Sequence, residues 1–586
     1  MRELSDFCGG WMMSAENTEQ EKRYDDSVVN LPFIHRASAF TDIVFTNSFT
    51  ATEKLEGETV YLEFRQVSGA VKVFRGETLL GEHDGMVSAF RVKLTDEAHA
   101  GETYEIRAEV RPRGRSDGNF IFGRVTVVSV SRSHFDLDGC GGPGVYIAAD
   151  VSGEKAQLRV KTKITNPNNY DVVSFSVETD AGVPVASKTE KPTEADTVID
   201  LPLPELWGGQ KDAHLYVLKA ALVRDTTVLD NLELPFGVKT FEIQEDKFFR
   251  VNGLKLPLNG VTLSDCSHLK TDKILLEMLD ANAIATDSLP AKADLLQECD
   301  RTGTVVWFDM PYSGEETDFD DLRDFLRQNR NHPSLAFICC SEAADTAYAA
   351  RFMAVCKENA PDVFTALRRG IADPSPLPEE LPDVIAVAIK GESAEDDFTA
   401  LRGRFEDLKA ACPDASFALF ASAPDGRRTA ETGEETSMSE SDLCVWHEKL
   451  WNVFYRDKST IGFFAGQLTD AKGGAGSAGL VTYDRRYIRD PFWFYKSQFS
   501  ATAFVKICAA ELAKVNVKKP DIKCYTNTPP VTLTVDGNAK RPYKGEELYD
   551  GVYVFRKVAL KNKISTVEAA AGDRKDTAKI TFEKSK

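Results

Sequence analysis

The stretch TVVWFDMPYSGEETDFDDLRDFLRQNRNHPSLAFICC, Thr304–Cys340, holds one complete turn of a repeating pattern. An apolar run of strand length, VVWF, gives way to DFDDLRDFLRQN, where Phe319, Leu322, Phe325 and Leu326 recur at helical spacing among charged residues. A second apolar run, SLAFICC, follows, and its adjacent Cys339 and Cys340 read as buried strand residues. Runs that are apolar on both faces belong to parallel strands covered by helices. The same grammar extends in both directions: LPLNGVTL precedes DKILLEMLDANA, DVFTAL precedes a loop, DVIAVAI precedes EDDFTALRGRFEDLKAAC, SFALFAS precedes SDLCVWHEKLWNVFYRD, and TIGFFAGQL closes the series. Such alternation over about 250 residues predicts a (β/α)8 TIM barrel with its site at the C-terminal ends of the strands.

On either side of this block the pattern changes to period 2. Between Val28 and Arg132 the segments TVYLEFRQV, AVKVFRG, AFRVKLTD, YEIRAEVRP and GRVTVVSVS alternate apolar and polar residues, with turns at short intervals, as in an antiparallel sandwich. A second set, from VYIAADV to KTFEIQ, has the length of an immunoglobulin-like β-sandwich. After Pro520 short strands return, so a C-terminal immunoglobulin-like β-sandwich is expected. The resulting division is 1–134, 135–244, 245–512 and 513–586, multidomain β and α/β. At 586 residues the chain is too long for a single core.

The net charge of −20 argues against nucleic acid and anionic membranes as partners, because both attract basic surfaces. Eleven cysteines without CxxC or Cys/His spacing fit reduced thiols in a cytoplasmic protein. No apolar run reaches the length of a membrane span, and the first residues lack a secretory apolar core.

Five strings then recur in order: GAVKVFRGETLLGEHDG (Gly69–Gly85), GGPGVYI (Gly141–Ile147), FGVKT with FRVNGLKLPLNGV (Phe236–Thr240, Phe249–Val261), NRNHPSLAFI (Asn329–Ile338) and GLVTYDRRYIRDPFWFYK (Gly479–Lys496). Together with the domain order they resemble glycoside hydrolase family 2, which includes β-galactosidases and β-glucuronidases. The resemblance implies that the first domain is a jelly-roll-like, sugar-binding-type sandwich. It also implies a retaining mechanism, in which two carboxyl groups about 5 Å apart serve as nucleophile and acid/base.

The positions that would carry this chemistry depart from the family's pattern. Its acid/base strand runs from Asn-His-Pro-Ser to Asn-Glu; here Glu342 arrives one residue early, and Ser341 stands in place of the Asn. Strand side chains alternate faces, so the shift turns Glu342 off the mouth unless a bulge restores it. In SFALFAS the nucleophile Glu aligns with Ala421, leaving Asp425 and Glu431 as displaced candidates. Thr262, Leu263 and Ser264 replace Asn-Arg-His, Ala285 and Asp287 fall in a rewritten pocket string, Ala386–Ala388 replace Asn-x-Tyr, and Gly466 replaces a sugar-stacking Trp. Asp309 stands where the family has Glu. The substrate-binding candidates are Asp309, Ser341, Asp287 and Gln467.

His268, His332 and His447 share no metal-binding spacing and read as incidental or structural, so no metal and no cofactor are expected. PFWFYKSQF reads as core packing rather than sugar stacking. Two functions stand side by side. One is a pseudoenzyme of carbohydrate metabolism kept as a carbohydrate- or partner-binding scaffold. The other is an active β-galactosidase-like glycosidase using Glu342 with Asp425 or Glu431. A third reading is a purely structural subunit associating with another, intact glycosidase, and a homo-oligomer is compatible with any of these.

Overall fold

The computed structural model describes residues 2–17, 22–114, 118–139, 141–192, 196–210, 212–264, 268–287, 294–341, 344–391, 393, 396–423, 427–428, 435–436, 439–454, 460–470, 478–510, 512, 514–538 and 540–583. Eight strands close into a parallel barrel: Leu258–Thr262, Ala283–Thr286, Val305–Asp309, Leu335–Cys340, Phe364–Gly370, Val384–Lys390, Ser416–Ser422 and Thr460–Gln467. Helices Leu269–Leu279, Leu295–Thr302, Thr317–Asn329, Thr346–Asn359, Phe398–Ala411, Glu440–Phe454 and Asp490–Phe499 surround it. Residues 371–383 cross from the fifth strand to the sixth without a helix, as the sequence predicts. Three helices start where an Asp side chain accepts backbone N–H bonds: Asp294 from Gln297, Asp345 from Tyr348, and Asp397 from Thr399 and Ala400.

Alternation along the barrel strands sorts their side chains into two cores. Trp307, Phe337, Phe420 and Phe464 fill the lumen among alanines 283, 285, 336, 366, 386 and 418. Phe308, Ile338, Val387 and Leu419 point the other way, onto the helices. Phe420 stacks on Phe464 with centroids 4.3 Å apart, and Trp307 on Phe337 at 4.8 Å. Small residues opposite make this filling fit. A Cβ on Gly260 would lie 2.3 Å from the Phe464 ring, and one on Gly462 would lie 2.4 Å from the Leu258 Cβ.

Three β-sandwiches flank the barrel. The first pairs a four-stranded sheet with a six-stranded sheet, the second a three-stranded with a four-stranded sheet, and the last a four-stranded with a five-stranded sheet. Val505–Ile507 hydrogen-bonds to Ile522–Thr526 in the last sandwich, and so lies on the N-terminal side of the expected division at 512/513. Polar contacts, several of them to buried carboxylates, join the parts. Asp321, on the third helix, accepts the backbone N–H groups of Met86, Val87 and Ser88 from the first sandwich. Asn331 accepts the Ile147 N–H of the second sandwich at 3.0 Å. Asp300 takes the Ser334 hydroxyl at 2.6 Å, and its backbone carbonyl takes the Trp207 indole N–H at 2.8 Å. Glu448 holds Lys523 at 2.8 Å and the Tyr525 hydroxyl at 2.5 Å in the last sandwich. No helix among the described residues is long and apolar enough to cross a membrane.

The last helix packs its aromatics inward, with Phe492, Phe494 and Tyr495 buried. The Tyr495 hydroxyl meets His447 Nδ1 at 2.9 Å, and complete burial pushes the His447 imidazole down to about 3, so it stays neutral. At the start of this helix the Asp490 N–H donates to Glu440 at 2.6 Å. Burial, then the charge of Glu440, pushes the Asp490 carboxyl up to about 7.

Gly260→Ala is expected to destabilise the barrel by about 2 kcal/mol or more, since the new methyl meets a ring that has nowhere to go. Gly403→Ala, on a helix with nothing within 4 Å of the added carbon, is expected to stabilise slightly; denaturant unfolding of both variants checks the contrast. Asp490 binds its proton more tightly folded than unfolded, so its contribution to stability is full below about pH 4 and is lost as pH rises toward 7. Asp490→Asn is therefore expected to exceed the wild type by about 1–2 kcal/mol at pH 8 and to match it at pH 4, as read by unfolding at the two pH values.

Candidate active site at the barrel mouth

The alternation that fills the lumen also decides which side chains reach the mouth. On the third strand Trp307 and Asp309 share the inner face, and on the fifth Ala366 and Arg368 do. Their ends meet: Arg368 Nη2 donates to both Asp309 oxygens at 2.7 Å, while the Trp307 indole N–H donates to Oδ1 at 3.2 Å. The Arg368 guanidinium lies 4.0 Å from the Phe420 ring centroid. A half-buried ion pair, its two side chains 19% and 22% exposed, thus forms a polar floor on the aromatic filling.

Around this floor stand the other inward strand ends. Thr262 and Ser264 follow the inner face of the first strand, and the Ser264 hydroxyl donates to Gln467 Oε1 of the eighth at 2.6 Å. Asp287 continues the inner face of Ala283 and Ala285. Ser341 continues that of Phe337 and Cys339, Lys390 that of Ala386, and Ser422 that of Ala418 and Phe420. The four expected substrate-binding residues, Asp287, Asp309, Ser341 and Gln467, therefore come to one mouth. Arg368, Lys390 and Ser422 join them without having been singled out. The alternation of FTALRRG, Phe364–Gly370, with its paired arginines, was the available signal for Arg368.

Two sequence alignments change. Ala421 lies on the outer face of the seventh strand, packed with Leu419 against the helices and 3% exposed, so its methyl is not at the mouth. The inward position at that strand end is Ser422. Leu263 is likewise turned outward, and Ser264 faces in. In both places a one-residue offset moves the side chain to the opposite face. Gly466 occupies a left-handed conformation, φ 99°, at a register irregularity between the eighth strand and the first, a geometry that favours glycine. Glu342, Asp425 and Glu431 lie outside the described residues.

The chemistry of the described mouth follows from these groups. Cys339 sits beside Asp309, but burial, and then the Asp309 charge, raise its thiol well above the ordinary value, so it is not a thiolate nucleophile. Both oxygens of Asp309 are held by Arg368. Hydroxyl, amide, carboxylate and cationic groups ringed over an aromatic floor suit a ligand rich in hydroxyls. Of the expected barrel histidines, His332 is held by Asp300 at the opposite end of the barrel, His447 is buried, and His268 lies 6.3 Å from the Tyr483 ring. Among the described residues no three His, Cys, Asp or Glu side chains gather as a metal site.

Residues 143–239 match the model of Glycosyl hydrolases family 2. Over 558 residues the chain is 23% identical to a β-glucuronidase of Bacteroides fragilis, covering 82% of this chain and 79% of that protein. It is 23% identical over 392 residues to a β-galactosidase of Thermoanaerobacter pseudethanolicus, covering 57% and 51%. Among solved structures, an FMN-binding β-glucuronidase from Facaelibacterium prausnitzii L2-6 superposes with a TM-score of 0.87 at 23% identity, covering 100% of this chain and 98% of that one. A Bacteroides uniformis β-glucuronidase gives a TM-score of 0.82 at 17% identity, covering 100% and 81%. The second sandwich thus matches the glycosyl hydrolase family 2 model, and the chain as a whole shares the fold of solved β-glucuronidases.

Proposed function

We propose that this protein serves carbohydrate metabolism in the cytoplasm as a scaffold that holds a carbohydrate or a partner protein at the barrel mouth, without the family's usual retaining chemistry. One observation carries the reading: among the described residues, the inward positions at the fourth and seventh strand ends are Ser341 and Ser422, where a retaining mechanism calls for two carboxyl groups about 5 Å apart. Asp309 is a poor substitute, because an attacking carboxylate needs a free oxygen and both of its oxygens are 2.7 Å from Arg368. In this reading Asp287, Asp309, Ser341 and Gln467 bind ligand hydroxyls, with Arg368 and Lys390 beside them. Free, largely buried cysteines support a reducing compartment.

A second reading, an active β-glycosidase with Glu342 as acid/base and Asp425 or Glu431 as nucleophile, is favoured by the naming of the Bacteroides fragilis relative as a β-glucuronidase. A panel of aryl β-glucuronides and β-galactosides, assayed alongside calorimetric titration with the corresponding saccharides, separates the two. The expected outcome is hydrolysis at the buffer rate with measurable saccharide binding, and binding weakened about tenfold in Gln467→Ala. Robust turnover that Glu342→Gln abolishes would overturn the scaffold reading. Copurification with another glycosidase, without saccharide binding, would make the partner a protein.

A further inference from the structure

At the end of the barrel opposite the mouth, a cavity of about 230 Å3 opens where the second sandwich meets the turn before the fourth barrel strand. Its walls include Lys239, Arg330, His332 and Asp362. Two of its cations, buried Lys239 and part-exposed Arg330, have no hydrogen-bonded counter-ion among the described residues. Lys239 has no side-chain hydrogen bond among the described residues; its ammonium lies 4.0 Å from the Phe241 ring centroid and 3.8 Å from Asp362, a carboxylate 55% exposed. Burial outweighs Asp362 and lowers the Lys239 ammonium from its ordinary value. Arg330 has neither ion pair nor side-chain hydrogen bond among the described residues. His332 spends Nδ1 on Asp300 at 2.6 Å, which leaves Nε2 as its remaining donor. Despite burial, that contact raises the imidazole above its ordinary value and favours the doubly protonated donor form.

A cation buried without a hydrogen-bonded counter-ion is costly, and an anion placed among several donors removes that cost. We propose that this cavity binds a phosphate group, free or as the monoester of a small molecule, held by Lys239, Arg330 and His332. The lining suits an oxyanion: a compact ammonium for charge, a planar guanidinium for two-point contact, and an imidazole N–H. A chain with a net charge of −20 would otherwise repel such a ligand, so a local excess of positive charge in a concave site is what admits it. Because the walls come from both the second sandwich and the barrel, the bound anion would tie the two together and raise the stability of the whole chain.

The test is thermal unfolding of the full chain in inorganic phosphate and, separately, in glycerol phosphate, with chloride replacing either at constant ionic strength. A saturable rise in Tm of about 3–5 °C over the chloride control is expected. Lys239→Met should abolish the rise, and Arg330→Gln, a change at a part-exposed residue that should leave folding intact, should raise the half-saturating concentration about tenfold. A response to inorganic phosphate identifies the free ion, and a response to the monoester alone identifies an ester ligand. If neither anion exceeds chloride, or if Arg330→Gln and Lys239→Met both respond as the wild type does, the site does not exist.

Discussion

The barrel depends on a volume match inside its lumen. Four large rings, Trp307, Phe337, Phe420 and Phe464, occupy a space that eight parallel strands leave open, and they fit because glycines and alanines stand opposite them. Interiors pack as densely as organic crystals, so each ring sets the size allowed across from it. The stack also fixes the height of the mouth floor. Arg368 sits over Phe420 and grips Asp309, so the polar layer begins where the aromatic layer ends. A mouth built on this floor takes its footing from the densely packed core below.

The recurring strings turn out to lie at junctions between domains. Gly85, closing the first string, leaves room for Asp321, whose carboxylate would be 2.6 Å from an added Cβ. Ile147 of the second string donates to Asn331 of the fourth, and Gly237 of the third packs against Pro333 of the fourth, 2.8 Å from an added Cβ. In the last string Phe494 packs on Tyr525 of the last sandwich with ring centroids 5.7 Å apart, while Arg485 pairs with fully buried Asp272 and Arg489 with Asp470 inside the barrel domain. Each such contact constrains two partners at once, so a change on one side leaves a buried charge or a clash on the other. Among the described residues the mouth groups pair within the barrel, Arg368 with Asp309 and Ser264 with Gln467, rather than with another domain. Stability at one end and freedom to vary at the other is the division of labour a TIM barrel permits.

How far the sequence could be read follows the same division. SLAFICC, DVIAVAI and SFALFAS are legible as buried strands because composition and length suffice, and the missing helix after DVFTAL is visible for the same reason. The inner and outer faces at the strand ends are another matter. Ala421 and Leu263 align with mouth positions by counting residues from a motif, yet both point outward. Counting fails there because neighbouring strands slip in register, between Gly260 and Thr262 in one pair and between Phe417 and Ala418 in another. A slip of one residue preserves hydrophobicity along the chain and reverses which side chain meets the ligand. Arg368 escaped notice because a charged residue near the end of an apolar run reads as solvated until a carboxylate from another strand is found beside it.

By itself, the amino-acid order determined the fold class, the succession of sandwich, sandwich, barrel and sandwich, and the resemblance to family 2 glycosyl hydrolases. These rest on periodicity and local strings, which are properties of contiguous residues. Only the tertiary structure decided which side chains share the mouth, that Asp309 is neutralised by Arg368, that Ser422 rather than Ala421 faces inward, and that Lys239 and Arg330 converge on a cavity at the far end. Those are distances between residues far apart in the chain. They are set by strand register and packing, which no local pattern encodes.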